Sequence, residues 1–274
     1  VTTIEEALQL REAGITSPIL LLEGFFTVDE LVVISQQQLW CVIHSVEQIK
    51  ALSSVALPEP IQVWLKMDTG MHRLGVQADE VADYVMRIEK SGQALGSVGF
   101  MSHFSRADDK TAPTTLKQIA IFNSATSCYP GPKTLANSAG ILYWNESQFD
   151  VARAGIALYG ISPDDDELAT ELGLKPVMTL QSKLIAVRRH NAGQPVGYGE
   201  TWTSSRDTIM GVVAMGYGDG YPRVVPAGTP VYINGRIVPI SGRVSMDMIT
   251  VDLGPDAMDK VGDQVEFWGN HIPV

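Results

Sequence analysis

The sequence predicts an α/β domain followed by an all-β domain, and three observations support this fold class. In the first part of the chain, short apolar segments that end in polar or glycine-rich loops alternate with helical segments, which is typical of parallel βα units. An acidic run at residues 164–167 indicates a solvated connector. Beyond Pro176 the pattern is that of β-strands throughout. We therefore expect an incomplete, TIM-like (β/α)8 barrel over residues 1–168 and a C-terminal β domain over residues 176–274.

The barrel part begins with a predicted helix, in which Thr3 and Glu6 form a capping box and Gly14 marks the end. Further helices are predicted at residues 45–53, 78–91 and 114–127. The six predicted strands lie at residues 19–23, 39–43, 61–67 and 98–104, in a short segment that reaches Ala136-Asn137-Ser138, and at 151–156. Six units do not close an eight-unit barrel, so we expect two further units upstream of Val1.

The predicted β domain contains five apolar or alternating segments, at residues 180–187, 209–215, 231–238, 248–253 and 264–268. The dipeptide Asn234-Gly235 interrupts the third of these segments. Because both residues tolerate a positive φ, the dipeptide predicts a β-hairpin with a type I′ turn.

Composition excludes several classes of function. The chain has 274 residues, of which 45% are hydrophobic, and a net charge of -11, so neither nucleic acid nor an anionic membrane surface is an expected partner. No apolar run approaches the length of a membrane span, and we expect no signal peptide. Cys41 and Cys128 form neither a disulfide framework nor a metal cluster. We expect a cytoplasmic protein that binds no metal.

The segment from Val63 to Gly75 concentrates reactive side chains. Lys66, Asp68 and Arg73 lie at or just past the C-terminal end of an apolar strand, where the chemistry of parallel α/β proteins gathers. An unpaired ammonium is costly to bury, so Lys66 must reach solvent, pair with an acid such as Asp68, or be chemically altered. On spacing alone, a structural Lys66–Asp68 pair is favoured over a functional site.

Seven motifs, in this order, resemble those of bacterial alanine racemases. They lie at residues 64–75, 102–104, 136–138, 153–160, 195–199, 216–220 and 242–247. The resemblance covers nearly the whole chain. It implies a pyridoxal-phosphate barrel followed by a β domain, in a head-to-tail homodimer whose active sites are shared between subunits. It also implies an isomerase that interconverts L- and D-alanine and supplies D-alanine for peptidoglycan.

Racemisation explains why such residues are needed. A proton of very low acidity leaves Cα and another returns on the opposite face, so the reaction requires an electron sink and two bases. The resemblance implies that the bases are the cofactor lysine and Tyr198. An unperturbed phenol titrates near pH ~10, so Tyr198 would need positive neighbours. Residue type alone would favour a half-buried aromatic of the β domain.

The resemblance also implies the cofactor contacts. Arg153 corresponds to the arginine that faces the pyridine nitrogen, which a guanidinium is too weak an acid to protonate; the family usually has proline where this chain has Ala154. His103 corresponds to the residue that hydrogen-bonds this arginine. The other implied contacts to the cofactor come from Arg73, Asn137, Ser138, Gly155 and Ile156.

Further residues are implied to bind the substrate. Arg73 corresponds to a residue that braces the substrate carboxylate, the backbone N–H of Met246 to a second contact, and Tyr217 to a gate at the entrance. Lys66 resembles a lysine that is carbamylated in many family members. Tyr198, Tyr217 and Met246 are implied to act on the barrel of the partner subunit.

One family feature is missing from the 274 residues. The cofactor lysine of the family lies on the first barrel strand and is followed by Ala-Asn-Ala-Tyr-Gly-His, a stretch that this sequence does not contain. A phosphate-contacting tyrosine near the family's C-terminus is expected beyond Val274. We therefore expect this polypeptide alone to be inactive, and the N-terminal segment to restore activity when supplied.

Three alternatives stay open. A pyridoxal-phosphate amino-acid decarboxylase would share the barrel and β-domain plan, but Arg153 and the lack of a motif-placed cysteine argue against it. A racemase that acts on serine or on several amino acids fits the same motifs. A non-catalytic fragment would at most bind ligand weakly.

Overall fold

The structure is a computed structural model that describes residues 1–273. The chain divides into two compact units, Val1–Ile156 and Ala157–Val274. The division lies before the acidic run at residues 164–167, whereas the sequence pattern placed the connector at that run. The predicted domain limits, 1–168 and 176–274, stay a prediction.

The first unit is a half-barrel of parallel strands and helices, as predicted. Its five-stranded sheet has the order β1-β2-β3-β4-β5, and each neighbouring pair is parallel. The strands are β1 (Leu20–Leu21), β2 (Trp40–Ile43), β3 (Val63–Lys66), β4 (Gly99–Met101) and β5 (Lys133–Thr134). The helices are α1 (Ile4–Glu12), α2 (Val28–Gln36), α3 (Val46–Ser54), α4 (Val81–Lys90), α5 (Thr114–Thr126) and α6 (Ser138–Tyr143).

Two predicted strands of the first unit were wrong in extent. Strand β5 ends at Thr134, and Asn137 caps helix α6, because its side-chain oxygen accepts a hydrogen bond from the N–H of Gly140 at 2.9 Å. The predicted strand at 151–156 makes one parallel bridge, between Val151 and Thr134. The chain then leaves the sheet, so the sheet of the first unit contains five strands where six were expected.

Most residues on both faces of the half-barrel sheet are buried, which explains the continuous apolar strands. Alternate residues of β2 and β3, such as Ile43 and Leu65, pack against the helices in the main core. Val42, Trp64 and Met101 form a second cluster together with neighbouring residues of β1 and β2. Because the strands are parallel, their C-terminal ends lie along one edge of the sheet.

The second unit is all-β, as predicted. A six-stranded sheet has the order β11-β10-β13-β6-β9-β12, and β7 pairs with β8. Its strands are β6 (Leu180–His190), β7 (Pro195–Val196), β8 (Trp202–Thr203), β9 (Thr208–Val213), β10 (Pro230–Ile233), β11 (Arg236–Pro239), β12 (Ile249–Gly254) and β13 (Gln264–Trp268). Asn234 and Gly235 have φ of 45° and 85°, which confirms the predicted type I′ hairpin between β10 and β11. Among residues 1–273, no helix combines the length and the apolar composition that crossing a membrane would require.

Candidate active site

Arg153 lies just beyond the bridge that ends the half-barrel sheet, and its guanidinium is firmly held. Its backbone N–H donates to the carbonyl of Ala136 at 2.9 Å. Nη1 donates to Thr134 Oγ1 and Nη2 to the carbonyl of Ser102, both at 2.6 Å. Within the described residues, the Nε–H of Arg153 has no acceptor. The arginine is thus fixed by the edge of the sheet, and its Nε–H is available to a group from outside.

His103 accompanies this arginine. Its Nδ1 lies 3.4 Å from Nη2 of Arg153. Burial, followed by the charges of Arg153, Arg73 and Lys66, lowers the pKa of His103 to about 4. Burial also lowers the pKa of Arg153 to about 10. At neutral pH the imidazole is therefore uncharged and can accept a hydrogen bond, while the guanidinium keeps its charge.

Lys66 ends β3 and is buried, yet it does not pair with Asp68. Burial, and then the charges of Arg73 and Arg153, lower the pKa of Lys66, and Glu23 partly opposes this effect. The structural Lys66–Asp68 pair that spacing alone favoured is therefore wrong. The pair does not form because the carboxylate of Asp68 accepts hydrogen bonds from the loop that follows.

Asp68 organises the loop that carries Arg73. Its Oδ1 accepts hydrogen bonds from the N–H groups of Gly70, Met71 and His72 at 2.9, 3.1 and 3.0 Å. Burial alone would raise the pKa of Asp68, but these bonds and the nearby His72 ring outweigh it and hold the pKa below its usual range. The loop returns to the sheet when the N–H of Val76 donates to the carbonyl of Lys66 at 2.9 Å. Arg73 is thereby presented, exposed, at the C-terminal edge of β3.

Gly155, two residues after Arg153, forms a small polar cradle with Ser138. The N–H of Gly155 donates to Ser138 Oγ at 2.9 Å. A Cβ on Gly155 would lie 3.6 Å from that same oxygen, so a side chain here would occupy the space beside Ser138. Ile156, which is exposed, begins a single 3-10 turn, Ile156–Tyr159.

Within the second unit, three loops that carry predicted site residues contact one another. The N–H of Tyr217 donates to the carbonyl of Ser245 at 3.1 Å, and the N–H of Gly218 to that of Met246 at 2.8 Å. A Cβ on Gly199 would lie 3.4 Å from Cζ of Arg243. The loop after β7, the loop after β9 and the loop before β12 therefore form one surface, which we call the β-domain edge (residues 197–200, 216–220 and 242–246).

The predicted residues on the β-domain edge are unusually exposed for apolar side chains. Tyr198 is 71% exposed, Met246 55% and Tyr217 37%. The N–H of Met246 has no acceptor among residues 1–273, and Arg243 supplies a positive charge beside the turn that carries Tyr198. These groups are therefore available to a ligand or a partner rather than used in the core of their own unit.

The structure thus gathers Lys66, Arg73, His103 and Arg153 into one electrostatically coupled group, and Tyr198, Tyr217 and Met246 onto one edge. No individual role was assigned from the sequence to the residues that hold these groups, which are Thr134, Ser102, Thr69, Gln118 and Arg243. Thr69, Ser102 and Arg243 lie within the motifs, whereas Thr134 and Gln118 lie outside them and are recognised only by their contacts.

Comparisons with known proteins agree with this arrangement. The family model described as "Alanine racemase, N-terminal domain" matches residues 1–163, and "Alanine racemase, C-terminal domain" matches residues 177–274. A curated alanine racemase of Actinobacillus succinogenes is 58% identical over 274 residues, which are 100% of this chain and 76% of the relative. A biosynthetic alanine racemase of Escherichia coli is 54% identical over 275 residues, covering 100% of this chain and 77% of the relative.

Solved structures show the same likeness. The biosynthetic alanine racemase of Pseudomonas aeruginosa matches 100% of this chain and 76% of its own, with 41% identity and a TM-score of 0.95. The Bartonella henselae alanine racemase with covalently bound pyridoxal phosphate matches 100% of this chain and 76% of its own, with 31% identity and a TM-score of 0.87. On the two family models, the curated relatives and the shared fold, the chain belongs to the alanine racemase family.

Proposed function

We propose that this chain forms most of an alanine racemase, which binds pyridoxal phosphate and interconverts L- and D-alanine at sites shared between two subunits. One observation carries the proposal. A half-buried guanidinium, Arg153, is fixed on Thr134 and Ser102 and stands beside a neutral His103, and its Nε–H has no acceptor among residues 1–273. That donor suits the nitrogen of a pyridine ring.

The residues present fit pyridoxal phosphate. Ser138, whose Oγ accepts the N–H of Gly155, lies with the backbone of Gly155 and Ile156 in a cradle that a Cβ at residue 155 would narrow. In this proposal the phosphate lies in that cradle, on hydroxyl and backbone groups. In this proposal Asn137 lies beside the cradle as the cap of helix α6. When bound, pyridoxal phosphate supplies the electron sink for the electron pair that remains at Cα after proton loss.

Arg153 sets the strength of that sink. Even with its pKa lowered to about 10, the guanidinium stays protonated at neutral pH, so it donates a hydrogen bond and does not transfer its proton. His103, neutral at the same pH, holds the guanidinium without adding a charge. Arg153 therefore moderates the sink, which suits a reaction that returns the proton to the same carbon.

The β-domain edge supplies the second base and the substrate contacts in this proposal. Tyr198 exchanges a proton with Cα on the face opposite the cofactor lysine, and Arg243 lies beside the turn that carries it. Arg73 and the N–H of Met246, which has no acceptor among residues 1–273, hold the substrate carboxylate, and Tyr217 borders the entrance. The exposure of Tyr198 and Met246 supports a homodimer in which they complete the partner's site.

Lys66 is proposed to carry a carbamate. Its lowered pKa makes the neutral amine more accessible, and the amine adds to carbon dioxide with loss of one proton. The resulting anion would be stabilised by Arg73 and Arg153, the same cations that oppose the ammonium. Growth in ¹³C-labelled bicarbonate, followed by ¹³C NMR, would detect the carbamate.

The lysine that binds the cofactor is proposed to lie outside these 274 residues, because no lysine here stands in the family's Ala-Asn-Ala-Tyr-Gly-His context. The proposal also places the enzyme in the cytoplasm, where it would supply D-alanine for peptidoglycan. The unpaired thiols of Cys41 and Cys128 are compatible with a reducing compartment.

A chromatographic assay for D-product tests the proposal. The chain is joined to the family's N-terminal, lysine-bearing segment and incubated with pyridoxal phosphate and L-alanine. We expect D-alanine from the joined chain and none from the 274-residue chain. L-Serine and other L-amino acids, assayed in parallel, separate an alanine racemase from one of broad specificity, and release of carbon dioxide would indicate a decarboxylase. A joined chain that folds but yields no D-alanine would refute the proposal.

A further inference from the structure

We propose that Gln118 is a positioning residue that fixes the loop bearing Arg73 relative to the loop bearing His103. The inference rests on the proposed function in one respect, which is that the two loops carry residues that bind the cofactor and the substrate. Gln118 lies in α5, was not predicted as a site residue and is completely buried. A glutamine amide is costly to bury unless its donors and acceptor are used.

All the hydrogen-bonding capacity of this amide is spent on the two loops. Oε1 accepts from the N–H and the hydroxyl of Ser105, at 3.1 and 3.2 Å. Nε2 donates to the carbonyl of His103 at 2.9 Å and to Thr69 Oγ1 at 3.2 Å. One side chain therefore grips the loop after β4 on both sides of Phe104 and also reaches the loop after β3.

A chain of buried hydroxyls continues the link. Thr69 Oγ1 lies 2.7 Å from Ser102 Oγ, and Ser102 Oγ donates to the carbonyl of Met67 at 2.9 Å. A Cβ on Gly70 would lie 3.4 Å from Cγ of Gln118, so the loop backbone packs directly on this side chain. The Asp68-capped loop that presents Arg73 is therefore anchored on α5 at its start.

The same segment holds Arg153. The carbonyl of Ser102 accepts from Nη2 of Arg153 at 2.6 Å, and Nδ1 of His103 lies 3.4 Å from that nitrogen. Gln118 binds the carbonyl of His103, the next residue along the backbone. A shift of this segment would move the imidazole and the guanidinium support together, although neither Arg73 nor Arg153 contacts Gln118.

Helix α3 contains a similar device in a different place. The amide of Gln48 accepts from the N–H of His44 at 2.9 Å and donates to the carbonyls of Glu23 and Phe25, both at 3.4 Å. There too a buried helix amide holds the loops that follow two neighbouring strands. Arg73 and His103 lie in the loops that Gln118 holds and not in those that Gln48 holds. A role at the site is therefore proposed for Gln118.

The test uses the cofactor-free chain, so it needs no racemase activity. Gln118→Met keeps the shape and removes the four hydrogen bonds. We expect amide hydrogen exchange of residues 67–76 and 102–106 to rise about tenfold or more. We expect the NMR titration of His103 to move from about 4 toward its ordinary value of 6.5, since the imidazole leaves its cationic neighbours and gains solvent.

Thr115→Val is the matched control. Thr115 is buried in the same helix and its hydroxyl donates to the carbonyl of Arg106 at 3.1 Å, so it loses a loop contact without touching the Gln118 network. Its His103 titration should not change. The proposal would be overturned if Gln118→Met matched Thr115→Val both in amide hydrogen exchange and in the titration of His103.

A second variant decides the matter if Gln118→Met does not fold. Thr69→Val removes only the hydroxyl links to Gln118 and Ser102, so exchange should rise in residues 67–76 more than in 102–106. Equal protection in both segments would refute the proposal. In the lysine-supplied enzyme, kcat/KM should fall about 10- to 100-fold for Gln118→Met. Absence of D-alanine in the unmodified enzyme would count against the proposed function alone, because the exchange and titration results stand without it.

Discussion

At the scale of single residues, Arg153 and His103 show how burial decides charge at this site. The imidazole is surrounded by Arg153, Arg73 and Lys66, so a further proton would meet three cations in a partly buried place. The guanidinium loses some basicity but keeps its proton. A neutral acceptor beside a permanent cation is the arrangement that a weakly polarised pyridine nitrogen would need.

The first prediction concerns the pH dependence of stability. The folded-state pKa of His103, about 4, lies below its ordinary 6.5, so between these values the unfolded chain binds the proton more readily. The free energy of unfolding should therefore decrease as pH falls from 6.5 to 4. His103→Gln should remove this component, whereas His190→Gln, at an exposed ring in the β unit, should keep it. Urea unfolding across this pH range tests it, and parallel curves for the unmodified chain and His103→Gln would contradict it.

A second prediction concerns Asp68. Asp68→Ala leaves three loop N–H groups without their acceptor and should lower the free energy of unfolding of the first unit by about 1–3 kcal/mol. Because the folded-state pKa of Asp68 is lowered, its carboxylate stabilises the fold above the ordinary pKa and loses this effect as pH falls through the folded value.

Asp83→Ala is the control for Asp68→Ala. Asp83 forms an exposed ion pair with Arg87 one helical turn away, and such pairs contribute about 0–1 kcal/mol. Urea unfolding monitored by tryptophan fluorescence compares the two variants. Equal losses would show that the Asp68 bonds contribute no more than a surface pair.

At the scale of elements, the sequence predicted strands that hydrophobic runs define and missed features that tertiary contacts define. Helix α2 was not predicted, because its Val-Val-Ile run resembles a strand more than a helix. Its buried residues Leu31, Ile34 and Ser35 lie at helical spacing and pack on the core, which overrides that local preference. Pattern alone could not supply this contact.

The candidate site divides in the same way. Arg73, His103, Arg153 and Tyr198 could be named because they stand in recognisable motifs. Thr134 and Gln118 could not, since a buried threonine at a strand end and a buried glutamine in a helix are ordinary residues until their partners are known. The predicted strand at 151–156 failed because Gly155 bonds Ser138 instead of continuing the sheet.

A third prediction concerns the loops of the β-domain edge. A Cβ on Gly216 would lie 2.1 Å from the carbonyl oxygen of Met246, so Gly216→Ala must separate two of the loops. Racemase activity of the lysine-supplied enzyme should fall about 100-fold, with the β fold retained by circular dichroism.

Gly254→Ala provides the comparison for Gly216→Ala. Gly254 has a φ of 91° and no atom within 4 Å of an added Cβ, so alanine there costs about 1 kcal/mol of backbone strain and moves no loop. Its activity should stay close to that of the unmodified enzyme. Full activity in Gly216→Ala would mean that the contact between these loops does not matter for catalysis.

At the scale of the whole molecule, the two units contribute different chemistry. The half-barrel gathers cations and a polar cradle at one edge of its sheet, and the β unit presents the phenol of Tyr198 and the backbone N–H of Met246 on a surface of its own. Neither set suffices for a two-base racemisation. The proposed dimer requires that residues of both sets act at one site, which makes the second base the central claim.

The measurement that tests this claim most directly is Cα deuterium exchange in D₂O by the lysine-supplied enzyme, with L- and D-alanine as separate substrates. Tyr198→Phe removes one of two bases, so racemisation should fall by about 10²- to 10⁴-fold. Exchange should persist for the one enantiomer whose Cα proton faces the remaining lysine, without inversion. The role of Tyr198 would be contradicted if Tyr198→Phe still exchanged the Cα proton of both enantiomers. It would also be contradicted if the variant racemised both at the unmodified rate.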